Sequence, residues 1–331
     1  MVRAISFAIA GSAAVLPRRI VPSIELDRLT GQVPGHVESH YGIAARHWAD
    51  ASETSSAMGA KAAQAALDDA GWTADSLDVI IGACGVMEQP IPGTAILVQR
   101  RLGLGSSGIA AFDINATCLS FLMAFDRVMA GFALGEYRRA LIVCADIASA
   151  ALDFSTVEGS VIFGDGAAAI ALEAGGPHQR IAHLFRSYGD GADHCRLEAG
   201  GTRVRPQDDL DEFLARATFQ MDGPAVFRAT ARRFPGFMAA LFEQAGVQAA
   251  DIATIIPHQA SQQALEHLKR SLPDGHARTI DIFRTTGNQI ATSLPHALHG
   301  ARTAGRLRAG ELGLLIGSSA GISLGGAVIR W

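Results

Sequence analysis

Short continuous apolar runs alternate along this chain with stretches whose apolar positions recur every three or four residues. The runs at 79–83, 140–144, 167–172, 252–256, 312–316 and 327–329 predict strands, and residues 1–7 read as a further strand leading into Gly-rich turns. Helical spacing marks 55–70, 121–134, 226–245, 261–271 and 296–306. In the second of these, Phe121, Leu122, Phe125, Val128, Met129 and Phe132 share a face. Strands and helices alternating in this way define an α/β protein.

The pattern also repeats. Ala66-Leu67-Asp68-Asp69-Ala70-Gly71, followed by the Ile80-Ile81 strand, is matched 175 residues later by Leu241-Phe242-Glu243-Gln244-Ala245-Gly246 and Ile255-Ile256. Leu141-Ile142-Val143 corresponds in the same order to Leu314-Leu315-Ile316. One such pair would be unremarkable; several in the same order divide the chain into two similar halves, 1–175 and 176–331. Duplicated halves of this kind bury their sheets under shared helices and bind ligands where they meet. Cys118 and Asn288 then occupy corresponding places, each after a strand and before an apolar helix.

Composition narrows the class. Of 331 residues, 49% are hydrophobic and 18% charged, with 36 Gly, which suits a compact enzyme-like chain and excludes a disordered one. A net charge of −4 argues against general binding to nucleic acid, which rests on a positive field. Cys84, Cys118, Cys144 and Cys195 are widely spaced, so neither a cysteine zinc site nor a disulfide framework is expected. No apolar stretch reaches the roughly 18 residues of a membrane span, and the first residues lack a leader pattern. The expectation is a soluble cytoplasmic protein with reduced thiols.

Candidate chemistry centres on Cys118, at the start of the apolar helix, where the helix dipole is expected to favour the thiolate. Taken alone, such a cysteine is more often a packed core residue. His258 ends a strand in Pro257-His258-Gln259-Ala260, Asn288 lies beside Gly287, and Gly317-Ser318-Ser319-Ala320-Gly321 forms a small-residue loop. Each has a bland reading as a satisfied polar residue, a turn former or a plain loop. Together they supply a nucleophile, two hydrogen-bond donors and backbone amides for an oxyanion, the equipment of acyl transfer with enolate stabilisation.

These residues give the chain its resemblance to the thiolase superfamily, and within it to the ketoacyl synthase III condensing enzymes. Asn115-Ala116-Thr117-Cys118 with Phe121 resembles the nucleophile segment, and Phe163-Gly164-Asp165-Gly166-Ala167-Ala168-Ala169 the FGDGAAA signature. Met221-Asp222-Gly223 with Val226-Phe227-Arg228 is similar to the M-x-G-x-x-V-F segment, and the His258 and Asn288 motifs follow in order. Asp165, between two glycines, reads as a structural turn residue. The resemblance implies a five-layered αβαβα fold built from two similar halves, a homodimer, and a Cys118, His258, Asn288 catalytic set. It also implies an oxyanion hole from the amides of Cys118 and Ala320, with no metal or cofactor. The implied reaction joins an acyl-CoA to a malonyl thioester, on acyl carrier protein or CoA, with loss of CO₂. Transfer of the acyl group to an O, N or S acceptor without decarboxylation is the alternative.

Several positions depart from the family pattern and suggest a specialised paralogue, serving fatty-acid synthesis or secondary metabolism. His36 and His40 stand where primary-metabolism members clamp the CoA adenine with Trp and Arg. Ser261-Gln262-Gln263 replaces Asn-x-Arg, leaving Arg228 as a basic group at the expected mouth. Arg232, Arg233, Lys269 and Arg270 form either a replacement patch or solvated helix faces. Ser318 replaces an aromatic residue and opens space near Cys118, while Leu119-Ser120 replaces a small-Gly pair. The segment from Met87 to Pro92 resembles the loop that crosses to the partner's acyl tunnel, which would place Ile91 there; Glu88 within it reads as a loop residue. Arg228, Ile91, Ser261 and Ser318 are therefore the expected substrate and carrier contacts.

Overall fold

The computed structural model describes residues 4–331, so the first three residues of the expected N-terminal strand lie outside it. Nine strands form the main sheet: β1 Ile5–Val15, β2 Val79–Gly82, β3 Ala110–Asp113, β4 Arg139–Asp146, β5 Gly166–Ala174, β6 His178–Gly191, β7 Ile252–Pro257, β8 Leu312–Ser319 and β9 Gly321–Arg330. Their order is β7-β8-β9-β6-β1-β5-β4-β2-β3. At the centre, Ile5–Phe7 of β1 pair antiparallel with His178–Arg180 of β6.

Outward from that junction the two sides follow one plan. On one side β1 meets β5 and β5 meets β4 antiparallel, then β4–β2 and β2–β3 are parallel. On the other, β6–β9 and β9–β8 are antiparallel, β8–β7 is parallel, and Ile255 of β7 bridges in parallel to Thr279. The strand pairs matched in the sequence repeat, β2 with β7 and β4 with β8, hold the same rank in each set.

Five helices supply the layers: α1 Ser55–Ala70, α2 Ser120–Leu134, α3 Gly223–Ala245, α4 Gln262–Ser271 and α5 Ser293–Thr303. The central pair, α2 and α5, touches both strand sets: α2 packs on β4 and β9, α5 on β5 and β7. Phe121, Phe125 and Leu294 share one buried cluster there with Ile142 of β4 and Leu315 of β8. Outside, α1 covers β1 and β5, and α3 covers β8's neighbour β9 together with β6. This is the five-layered αβαβα arrangement.

Local chemistry sets the helix ends. Thr54 caps α1 by accepting from the Ala57 amide, and Gly71 closes it in the left-handed conformation. Helix α3 begins three residues before its expected start because Asp222 caps it and Pro224 occupies the first turn. Helix α5 runs 293–303, not 296–306, since a 3-10 turn at Ile290–Thr292 leads into it.

Two expectations need correction. The small-residue loop at 317–323 is mostly strand: Gly317, Ser318 and Ser319 pair with Gly325, Leu324 and Ser323 across a reversal at Ala320. The window Thr117–Leu134 is long and apolar enough, by composition, to cross a membrane, contrary to the expectation that no stretch is. Its helix is the buried central layer, with Phe121, Leu122, Val128 and Met129 packed on the sheets.

Phe121 is fully buried one residue into α2 and three residues from Cys118. Phe121→Ala is expected to cost about 3–5 kcal/mol, read from urea unfolding. A cost below about 1 kcal/mol would mean that the central layer is not the core described here.

Candidate active site

Cys118 lies in a tight turn between β3 and α2. The Thr117 amide donates to Asn115 Oδ1 at 2.8 Å, and Ser120 Oγ donates to the Thr117 carbonyl at 2.6 Å and accepts from the Ala116 amide at 2.9 Å. Thr117 is held at a φ of 50°, a strained value for a β-branched residue. The turn thereby presents Cys118 to a cavity of about 210 Å³.

His258 reaches the same cavity from the end of β7. Its amide donates to the Ile316 carbonyl at 2.8 Å, and Gln259, fully buried, fixes the following turn through the Pro257 and Ile280 carbonyls. Gly317 is needed beside it: a Cβ there would lie 2.8 Å from His258 Cβ and 2.9 Å from Leu119 Cδ2. His258 and Leu119, the residue after Cys118, therefore press on one backbone position.

Asn288 is laid onto the Phe163–Ala169 motif. Its amide donates to the Ile162 carbonyl at 2.7 Å and its carbonyl accepts from the Gly164 amide at 3.0 Å. Gly164 permits this approach, since a Cβ would fall 2.1 Å from the Thr286 carbonyl oxygen. Asn288 Nδ2 donates to the Ala260 carbonyl at 3.2 Å, and Oδ1 accepts from the Ile290 amide at 2.8 Å. One N–H of the side-chain amide remains for a ligand.

A buried carboxylate unites these loops. Asp146, at the end of β4, accepts from the Gly85 and Val86 amides at 2.7 and 2.8 Å, and from the Thr292 amide and hydroxyl at 3.0 and 2.9 Å. Burial pushes its carboxyl up to about 6. Asp165 is likewise structural: it is buried and accepts from the Ala49 and Ser149 amides. Glu88 accepts from the Ser56 amide at the start of α1 and does not line the cavity, as its loop reading requires.

The electrostatics correct one expectation. The Cys118 thiol is raised, against the expectation of a thiolate. Burial pushes its thiol up to about 12, with Cys195 and Asp146 adding to the rise, while the Ala320 and Cys118 amides pull the other way. Those two amides are the expected oxyanion donors. Burial lowers His258 to about 4, so its ring is neutral near pH 7, and Nδ1 has no protein partner.

Of the residues expected from sequence, Cys118, His258, Asn288, Ala320, Ser261 and Ser318 all line this one cavity. Ser261 also caps α4, accepting from the Ala264 amide at 3.2 Å. Arg228 and Ile91 are not in its lining; Arg228 is exposed on α3 beside Phe227, which is, and Ile91 is 86% exposed on its loop. Lys269 is paired with Glu266 and Asp281, and Arg233 with Asp190, so they supply no free patch. Residues that sequence reasoning passed over are Asp146, Cys195, Thr230 and His267, of which the last three line the cavity. A lone charge ending the apolar run of β4 was the available signal for Asp146. Nothing in the sequence marked Cys195.

A thiol, a neutral imidazole and a side-chain amide around one cavity, with the Ala320 backbone beside them, fit a thiol-dependent acyl-transfer enzyme on a thiolase-type fold. Models of 3-oxoacyl-[acyl-carrier-protein] synthase III match residues 112–191, and of its C-terminal part residues 242–331. An acetoacetyl-CoA synthase from a Streptomyces species is 35% identical over 99% of both chains. The beta-ketoacyl-[acyl-carrier-protein] synthase III of Bordetella petrii is 34% identical over 97% of each. The crystal structure of the Aquifex aeolicus 3-oxoacyl-[acyl-carrier-protein] synthase III superposes with a TM-score of 0.88 at 26% identity, covering 98% of this chain and all of that one. The chain belongs to the 3-oxoacyl-[acyl-carrier-protein] synthase III family of acyltransferases.

Because the Cys118 thiol is raised to about 12, its alkylation by iodoacetamide should rise about tenfold per pH unit from about pH 6 to about 10 without a plateau. Intact-protein mass spectrometry reads this rate. A plateau near pH 8 would show an exposed, ordinary thiol instead.

Proposed function

We propose that this enzyme carries out a decarboxylative Claisen condensation of an acyl-CoA with a malonyl thioester, through an acyl-Cys118 intermediate. The observation that carries the proposal is the convergence of Cys118, neutral His258 and Asn288 on one cavity, which Ala320 also lines. Relatives named as 3-oxoacyl-acyl-carrier-protein synthase and as acetoacetyl-CoA synthase support the same reaction class.

Cys118 sulfur attacks the acyl carbonyl, and the thiol proton leaves with the CoA sulfur. The two amides hold the tetrahedral oxyanion, an interaction worth about 100-fold or more in rate per donor. The malonyl thioester then releases CO₂. His258 and the free N–H of Asn288 donate to its thioester oxygen, stabilising the enolate. The enolate carbon attacks acyl-Cys118, the C–S bond breaks, and the Cys118 sulfur recovers a proton as the 3-oxoacyl thioester departs. The malonyl group arrives on acyl carrier protein or CoA, with Ser261, Ser318 and Arg228 as contacts to the thioester arm and carrier. No metal or cofactor takes part. The four thiols, all unpaired, fit a reduced cytoplasmic setting.

The two halves are assigned as 1–175 and 176–331, supported by the repeated strand plan. A second copy is placed against the edge strand β3, where Phe112, Met87 and Ile91 expose apolar surface at 36%, 49% and 86%. That docking would carry Ile91 towards the partner's cavity.

Cys118→Ala should abolish the mass gain on incubation with acyl-CoA and stop condensation. The wild type should release one CO₂ from malonyl thioester per 3-oxoacyl product. Acyl-Cys118 formation with no CO₂ release would move the reading to plain acyl transfer. In sedimentation the wild type should run as a dimer and Ile91→Asp should shift towards monomer; a monomeric wild type would refute the docking.

A further inference from the structure

The wall of the cavity built by α3 and α4 is apolar, with Val226, Phe227, Ala231, Phe234, Leu265 and Leu268 facing in, except at two places. Thr230 Oγ1 and His267 Nε2 are both buried there without any hydrogen-bond partner. No protein group pairs with either atom, so both are free to bond to a ligand in the cavity.

The two atoms belong to one feature. Thr230 lies on the same face of α3 as Phe227, three residues before it, and Phe234, four residues after it. The His267 ring stands edge-on to both phenyl rings, at centroid distances of 5.7 and 6.0 Å. Thr230 and His267 therefore share the gap between the two rings. Phe227 and His267 also line an open surface depression with His40, Gln262, Gln263, Glu266 and Arg270. His267 thus lines both the depression and the cavity that holds Cys118.

We infer that Thr230 and His267 form an amide slot, which holds a secondary amide of the substrate's thiol arm while its thioester lies at Cys118. This rests on the thioester reading of the site. A hydroxyl both donates and accepts, and an imidazole nitrogen does either according to tautomer. A secondary amide offers a carbonyl and an N–H within one planar group and satisfies both atoms; a hydrocarbon tail satisfies neither. The pantetheine arm, common to CoA and carrier-bound thioesters, carries such amides, so the slot recognises either carrier. An oxygen on the acyl chain is the competing source of the same chemistry.

The test compares one acyl group on CoA, on N-acetylcysteamine and on ethanethiol, which has no amide, with wild type, Thr230→Val, His267→Phe and Thr230→Ser. Each of the first two variants should raise KM for the CoA thioester about 3- to 10-fold relative to the ethanethiol thioester, leaving kcat nearly unchanged. Thr230→Ser should restore the ratio, which also separates the slot from a folding defect. An equal change on all three carriers, or none, overturns the inference. A 3-hydroxyacyl group on ethanethiol tests the competing source: selective loss of its advantage in the variants would assign the slot to the acyl chain and overturn the arm assignment. Desulfo-CoA binding to Cys118→Ala protein, followed by calorimetry, needs no acylation. Weakening by Thr230→Val there supports the slot even if the condensation reading fails, and unchanged affinity refutes it.

Discussion

The active-site geometry depends on one buried carboxylate. Asp146 ends a strand of the first strand set, yet its two oxygens hold the Gly85–Val86 loop on one side and Thr292, in the loop that presents Asn288, on the other. A carboxylate enclosed in this way is unfavourable by itself, as its raised pKa records, and is tolerated because four donors converge on it. The arrangement makes the two loops a single body. The Gly85–Val86 loop beside Cys118 and the loop that carries Asn288 cannot drift independently.

The FGDGAAA segment performs the complementary task. Phe163 pairs with Asn288 as an isolated bridge, Gly164 admits the Thr286 carbonyl, and Gln289 Nε2 donates to the Asp165 carbonyl. The motif is thus a landing surface for the Asn288 loop, not a source of reacting groups. Together with Asp146, it explains how residues far apart in sequence hold one cavity wall.

Much of this was legible in the sequence because local chemistry dictates it. Helix α1 has its cap, its apolar stripe and its Ala70-Gly71 end written in order, and its bounds match the reading. The repeat of β2 and α1 in β7 and α3 was visible because each unit is a continuous run. What escaped was non-local. Strand β6 alternates buried and exposed residues irregularly, and β9 begins Gly-Ile-Ser-Leu-Gly-Gly, so neither resembles an isolated strand; each is held by its neighbours. Cys118, His258 and Asn288 could be found because each sits in a turn with its own signature. The Asp146 contacts to Thr292 span 146 residues and leave no local mark. The direction of the Cys118 pKa was misread for a related reason: the dipole of a helix can be inferred from sequence, whereas enclosure by segments distant in the chain cannot.

That enclosure has a consequence for the resting enzyme. With its thiol raised to about 12, Cys118 holds on the order of one part in 10⁵ as thiolate at neutral pH. Electrophiles and peroxides, which react with the anion, meet a sulfur held mostly as thiol. Burial thus acts as chemical insulation: the same apolar walls that admit a thioester keep the sulfur from being consumed between turnovers.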